Sequence, residues 1–384
     1  MFNRTVRLLD NNSFFLFGPR GTGKTLYLNS YFQPGVAHRV DLLDLDLQQR
    51  YELTPRAFSD ELRNLPAEIK WVFVDEIQKA PQLLDVVHQE IERGRFLFAL
   101  TGSSPRKLKR GGANLLAGRA FINHLFSLTH RELGNAFSLE TALRWGTLPK
   151  VISLDDVEAR KEYLRGYAHT YLQEEIIQEQ VIRKLPPFRR FLSVAAQMNG
   201  QPINYSKLGR DIGAGVVSVQ AYYQILEDTL LGFRLDPFHE SLRKRQSGRS
   251  KFYFFDIGVQ RALFNLLNVD LAPGTFAYGQ AFEHFIVNEM VRLSSYGRKD
   301  YQFSTFATPD AEIDLVIDRP GLKRAWVEVK STDRVVAEDV RAINRLGSNA
   351  GESELFCLSR DPHPQKIDAT QCLPWERGLI ELGL

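Results

Sequence analysis

Cysteine is nearly absent: Cys357 and Cys372 are the two in 384 residues. Two cysteines cannot make the framework of a disulfide-stapled domain, and their scarcity fits a reducing compartment, so a cytoplasmic location is expected. No apolar run approaches the roughly 20 residues needed to span a bilayer. The N-terminal MFNRTVRLLDNN has no long apolar stretch before a cleavage-like site, so no signal peptide is expected. Neither sign of charge is in excess, with 49 Lys and Arg against 46 Asp and Glu. Global charge therefore speaks neither for nor against nucleic acid, and only local clusters can. The eight histidines make no metal-spaced cluster with the cysteines. No G-x-S-x-G elbow and no local Cys/His signature of a thiol enzyme appears. Internal repeats and low-complexity segments are missing too. What remains is the composition of a globular chain, 43% hydrophobic and 25% charged, long enough for two or three domains.

The strongest local signal is SFFLFGPRGTGKTLYLNSYF, from Ser13. Phe14 to Phe17 form a short apolar run of the kind found in buried parallel strands. Gly18, Pro19, Arg20, Gly21, Thr22, Gly23, Lys24 and Thr25 then fill G-x-x-x-x-G-K-[ST] without a mismatch. Small residues let backbone N–H groups curl round phosphate oxygens, and the helix that follows aims its N-terminus at them. Lys24 is expected at the β- and γ-phosphates, and the Thr25 hydroxyl on Mg²⁺. A second apolar run, Trp71 to Val74, ends in Asp75 and Glu76. Carboxylates at the C-terminal end of a strand face the crevice where ligands sit. Asp75 is expected to hold Mg²⁺ through water, and Glu76 to orient the attacking water; alternatively Glu76 caps the next turn. RFLFALTGSS would bring Thr101 and Ser103 near the γ-phosphate if its strand lies between the first and third, or Ser103 or Ser104 caps a helix. Lys107, Lys109, Arg110 and Arg119 follow. Arg119 is the candidate arginine finger, because Gly118 frees its backbone and AFINHLFSL resumes as a strand; the other three read equally as a solvated basic loop.

GPRGTGKT, VFVDEIQ, LTGSS and LAGR together resemble the AAA-type ATPases of the P-loop class. Nearly the whole chain resembles bacterial and archaeal ATPases that pair such a domain with a C-terminal "domain of unknown function 4143". The resemblance implies an α/β fold with a doubly wound parallel sheet over residues 1–128. No N-K-x-D guanine-reading motif is present, so ATP is expected as the nucleotide, with Mg²⁺. Arg119 acting from a neighbouring copy would require a homo-oligomer; acting within its own chain it would not.

Residues 129–187 read as a helical connector, ending at Pro186 and Pro187. Over 188–258 the pattern is three helices and two strands: one helix ending near Gly200, a second from Asn204 or Tyr205 to Gly213, a third from Gly215 or Val216 to about Asp228. LLGFRLDPF and KFYFFDIG alternate as strands around a loop that carries Arg243, Lys244, Arg245, Arg249 and Lys251. This describes a winged helix, whose third helix would offer Ser218, Gln220 and Tyr223 to DNA while the basic tip touches phosphate. A packing module with a merely solvated tip is the alternative.

Residues 259–384 begin with the amphipathic AYGQAFEHFIVNEMVRLSSY, with Glu283 beside the stripe of Phe282, Phe285, Ile286, Met290 and Leu293. EIDLVIDRPGLKRAWVEVKST then reads as a hairpin. Alternation puts Glu312, Asp314 and Val316 on one face and Ile313, Leu315 and Ile317 on the other; Trp326, Glu328 and Lys330 share a face on the returning strand. With the turn at Gly321, Asp314 lies across from Glu328. Two carboxylates at that distance repel unless a cation joins them, and Mg²⁺ suits such a pair, with Lys330 to orient an attacking water. Glu283, Asp314, Glu328 and Lys330 resemble the PD-(D/E)xK nuclease pattern, with Ile313 where a proline often stands. The resemblance implies an α/β nuclease-like domain. Lys330 neutralising a carboxylate on a solvated strand is the alternative. Three functions follow: an ATPase coupled to a DNA-directed C-terminal half, a metal-dependent nuclease regulated by ATP, or a nucleotide-switched binding module that hydrolyses little.

Overall fold

The computed structural model describes residues 2–32, 35–105, 108, 116, 118–171, 185–239, 249–308, 311–347 and 352–384. The chain divides into two compact units, Met1–Leu128 with Leu226–Leu231, and Thr129–Ile225 with Gly232–Leu384.

The first unit is built on a five-stranded parallel sheet: β1 Ser13–Phe17, β2 Ala37–Asp41, β3 Trp71–Asp75, β4 Leu97–Gly102 and β5 Ala120–His124, in the order β2-β3-β4-β1-β5. Its helices are α1 Lys24–Tyr31, α2 Leu45–Leu53, α3 Pro55–Arg63 and α4 Leu83–Glu92. β1 and β3 are buried at every position, which is why they read as unbroken apolar runs rather than alternating ones. β2, AHRVD, buries only Val40. An edge strand needs little apolar surface, and this one left no signal in the sequence. β4 lies between β1 and β3, the condition for placing Thr101 and Ser103 beside the phosphate loop. Lys107, Lys109 and Arg110 lie outside the described residues.

The second unit opens with α5 His130–Leu133, α6 Leu139–Trp145, α7 Pro149–Ile152 and α8 Val157–Gly166. These were expected as a connector. Instead Ala142 and Leu143 of α6 share a core cluster with strands near the C-terminus. Then come α9 Leu185–Gln197, α10 Tyr205–Ile212, α11 Val216–Asp228 and the antiparallel pair β6 Gly232–Pro237 and β7 Lys251–Phe254. Asn204 caps α10 by accepting from the Lys207 amide, and Gly213 ends it in the left-handed conformation at φ 70°. Arg243, Lys244 and Arg245 lie outside the described residues.

α12 Ile257–Leu263 and α13 Phe276–Tyr296 lead into β8 Gln302–Thr308, β9 Ala311–Asp318, β10 Arg324–Lys330, α14 Arg341–Gly347, β11 Ser353–Ser359, β12 Gln365–Ile367, β13 Thr370–Pro374 and α15 Trp375–Glu381. Here the structure departs from the expected boundary at 258/259. β6 pairs in parallel with β8 through Asp236–Ser304 and Pro237–Thr305. One eight-stranded sheet, β12-β13-β11-β10-β9-β8-β6-β7, therefore joins the pair after α11 to the C-terminal strands. The face of β9 also differs from strict alternation. Ser304 pairs with Val316 but Phe306 with Ile313, so β9 carries one extra residue at Asp314–Leu315. This bulge moves Ile313 into a cluster with Val316 and Trp326, while Leu315 and Ile317 face the other core.

Candidate functional site

Two groups of side chains carry chemistry, one in each unit. In the first, the chain after β1 turns through Gly21 at φ 77° and Gly23 at φ 91°, which only glycine adopts without strain. Gly18 has a different reason: a Cβ there would stand 2.2 Å from the Leu125 carbonyl oxygen. Gly23 caps α1 with no side chain, and the first turn of α1 holds no acid, so its N-terminal amides are not bonded by a capping side chain. Lys24 is buried, its Nζ donating to the Gly18 and Pro19 carbonyls at 2.7 and 3.2 Å. The Thr22 hydroxyl donates to Pro19 O at 2.9 Å. Arg4 braces the loop, donating to Thr22 O at 3.0 Å and to Phe126 O at 2.6 Å. Sequence reading missed Arg4, since its partners lie 18 and 122 positions away.

Asp75 ends β3 with none of its surface exposed. One carboxylate oxygen accepts from the Thr101 hydroxyl; the other is buried with no hydrogen-bond partner. An orphaned carboxylate oxygen beside a phosphate loop fits a hydrated magnesium ion, which takes one or two carboxylates and keeps several waters. Glu76 follows in the left-handed region at φ 57°, a strained place for a non-glycine residue. Its amide donates to Thr101 Oγ1 at 3.1 Å. Thr101, expected near the γ-phosphate, thus fixes both acids from behind. Gln78, one turn on, donates from Nε2 to the Glu76 carboxylate and to Ser103 Oγ, the latter at 3.2 Å. In the sequence Gln78 is only part of VFVDEIQ; its link to Ser103 spans 25 positions and needs β4 beside β3.

Arg119 is a correction. It precedes β5, whose Ala120 pairs with Ser13 at the start of β1, whereas the phosphate loop leaves the far end of β1 after Phe17. Its guanidinium is ion-paired with Glu92 at the end of α4. Within its own chain it lies at the wrong end of the sheet to act as an arginine finger.

The second group lies in the second unit. The pairing of β9 with β10 runs through Trp326–Val316 and ends at Val327–Leu315, and just beyond it Glu328 lies close enough to Asp314 for the two carboxyls to repel. Asp314 Oδ2 accepts from the Val329 amide at 2.8 Å, and Lys330 Nζ is 2.7 Å from Glu328 Oε1. Glu283 of α13 accepts from the Tyr253 hydroxyl at 2.6 Å. Lys251, expected on a basic loop tip that touches phosphate or is solvated, is instead 4% exposed. Its Nζ is 2.6 Å from Glu312 Oε1 and 3.6 Å from Glu283 Oε1. Glu283, Asp314, Glu328 and Lys330 lie close enough to shift one another's protonation, and Lys251, Tyr253 and Glu312 join them. Where a magnesium ion joining Asp314 to Glu328 was expected, Lys330 takes one Glu328 oxygen and the Val329 amide one Asp314 oxygen. Among the described residues, no three or more His, Cys, Asp or Glu side chains are placed to hold a metal ion.

Burial, then repulsion by Asp314, pushes Glu283 up to about 7 and Glu328 up to about 8. Burial also raises Asp314, against the pull of Lys251, the Val329 amide and Lys330. A raised carboxyl keeps its proton longer in the folded chain. Its contribution is complete below the unfolded value and is lost as pH rises through the folded one. Buried His284, lowered to about 4, opposes this only below its unfolded value of 6.5. Between those limits the sign is set by the carboxyls. Stability measured by thermal melting in EDTA should fall by roughly 1–2 kcal/mol from about pH 6.5 to 8. Glu328→Gln should flatten that fall; a midpoint that rises over the interval contradicts the assignment.

Compared with known families, residues 10–134 match the model described as AAA domain, and 278–377 the model described as domain of unknown function DUF4143. Between them, 136–270 match another domain of unknown function, DUF8612. These matches bear out the AAA-type P-loop ATPase domain with a C-terminal DUF4143 that the motifs implied. Uncharacterized proteins of Mycobacterium tuberculosis and Mycobacterium bovis are each 26% identical over 321 residues, covering 83% of this chain and 70% of theirs. One from Methanocaldococcus jannaschii is 23% identical over 282 residues, covering 65% of this chain and 62% of its own. Among solved structures, the Aeropyrum pernix ORC1 protein in complex with DNA aligns at 13% identity over 66% of this chain and 86% of that one. The TM-score of that alignment is 0.30. Among the described residues no helix is long and apolar enough to cross a membrane.

Proposed function

We propose that the chain binds MgATP at the loop of Gly18 to Thr25 and hydrolyses it, ATP and water giving ADP and phosphate. The observation that supports this most is Asp75: a fully buried carboxylate with one unpartnered oxygen, at the strand end next to an acid in a strained conformation. In this reading the loop amides and the α1 N-terminus bind the phosphates. Lys24 exchanges the Gly18 and Pro19 carbonyls for β- and γ-phosphate oxygens. Thr25 and Asp75 would hold magnesium, which when bound offsets the charge of those phosphates. Glu76 orients the attacking water and receives its proton, while Gln78 sets the carboxylate's direction and Ser103 sets that of Gln78. Positioning and electrostatics supply most of the catalysis. Phosphate release from MgATP, measured beside nucleotide affinity, tests this. Turnover supports an ATPase; tight binding without turnover favours the nucleotide-switched module; no affinity overturns both.

DNA contact by the α9–α11 segment, read as a winged helix, is the second part of the proposal. Ser218 and Gln220 are exposed on α11, and α10 before it carries exposed Lys207 and Arg210. Tyr223, expected to reach bases, cannot: it is buried against Phe191, Tyr205 and Phe252. Affinity for duplex DNA should weaken steeply as salt rises, because phosphate contacts release counterions. Binding indifferent to salt, or unchanged in Lys207→Ala/Arg210→Ala, argues against this contact.

A further inference from the structure

The carboxylates of the second unit pose a physical problem that the sequence left to a metal ion. Glu283, Glu312, Asp314 and Glu328 converge from α13, β9 and β10, and two lysines meet them. Lys330 was visible in the sequence and pairs with Glu328. Lys251 was not, and it comes from β7, on the far side of the same sheet order.

We propose that the Lys251 ammonium occupies the cation position of this cluster, so that a side chain of the protein replaces the divalent ion and the site is metal-independent.

Strand alternation delivers it. Lys251 and Tyr253 are two apart on β7 and point the same way, both onto Glu283 Oε1. Phe252 and Phe254 point the other way, and Phe252 packs on Tyr223 of α11. The backbone at Lys251 is fixed from both sides, by the ladder to Leu235 and by a bridge to Pro202. The side chain therefore has little freedom to leave. A lysine this deeply buried is tolerable only if it is paired. Burial works against its charge, but Glu283, Asp314 and Glu312 outweigh that and hold its pKa above the ordinary value. An ammonium 2.6 Å from Glu312 and 3.6 Å from Glu283 offers three N–H donors to carboxylates that an ion would need in octahedral order with waters.

A second observation supports the chemistry of a cation site in this cluster. Glu328 is 6% exposed, and its Oε2 is buried without a hydrogen-bond partner, Lys330 having taken Oε1. An acceptor remains that neither lysine fills. Removing Lys251 would leave Glu283, Glu312 and Asp314 uncompensated beside that oxygen, and a divalent cation would then restore the balance. The inference does not depend on the ATPase reading, since none of these residues belongs to the phosphate-loop unit.

The test is a Mn²⁺ titration of the full chain without nucleotide, read by the loss of the free-ion EPR signal. Wild type and Asp314→Asn should bind Mn²⁺ indistinguishably. Lys251→Met, an unbranched side chain one atom shorter and without the charge, should gain one Mn²⁺ per chain at least about tenfold tighter than any wild-type site. Lys251→Met/Asp314→Asn should lose it again. A wild-type site that Asp314→Asn removes overturns the proposal, and so does a folded Lys251→Met that gains nothing. Should Lys251→Met fail to fold, wild-type melting decides. A midpoint unmoved by Mn²⁺ supports the built-in cation, and a rise that Asp314→Asn abolishes refutes it.

Discussion

Glu76→Gln is expected to bind MgATP within about twofold of wild type and to turn it over roughly a thousandfold more slowly. The binding half of this follows from what the substitution leaves alone. The phosphate loop, Lys24 and Asp75 are untouched, and the Glu76 amide keeps its bond to Thr101. The new amide oxygen can still accept from Gln78, so the strained turn at φ 57° retains its support. The catalytic half follows from what the amide cannot do: it has no basic oxygen to take a proton from water. A loss confined to turnover separates this role from a structural one, which would lower affinity and stability together. Steady-state phosphate release and nucleotide titration on the same preparation check it. Near-normal turnover would remove Glu76 from the reaction.

Lys24→Ala should weaken MgATP binding by about a hundredfold or more, because charge-assisted bonds to phosphate in a buried setting are among the strongest a side chain makes. Lys24 is 6% exposed and spans the loop from within, bonded to Gly18 O and Pro19 O. Truncation removes both the charge that meets the phosphates and the tie that closes the loop without them. Arg4 and the Thr22–Pro19 bond remain, so the loop should keep its course and the fold its melting temperature. A fluorescent nucleotide titrated into wild type, Lys24→Ala and Glu76→Gln gives the contrast directly. Equal affinity in all three would place the nucleotide elsewhere.

The phosphate loop was legible because its chemistry is contiguous. Eight successive residues carry the glycines, the ammonium and the hydroxyl, and backbone amides do the rest whatever the distant sequence. Asp75 and Glu76 were legible for a similar reason: a buried parallel strand announces itself as an apolar run, and its end is where the acids stand. The edge strand β2 did not announce itself, since only Val40 is buried. The support behind the acids was not legible either. Thr101 and Gln78 became partners of Asp75, Glu76 and Ser103 through the order β3-β4-β1, which no local pattern encodes.

By itself the sequence determined the periodic and local features: the β1–loop–α1 unit, the helices around Asn204 and Gly213, the amphipathic α13 and the hairpin that carries Asp314 and Glu328. Only the tertiary structure decided what those features serve. Pairing of β6 with β8 extended one sheet across the expected boundary, and a single extra residue in β9 reset the faces that alternation had assigned. The same pairing turned Lys251 from a loop charge into the buried partner of Glu283 and Glu312. Likewise, the direction of β5 placed Arg119 at the end of the sheet away from the loop of Gly18 to Thr25. Side-chain spacing along a chain fixes which face a residue takes within an element. Which charges meet there depends on neighbours tens of positions away, and only the folded sheet brings them together.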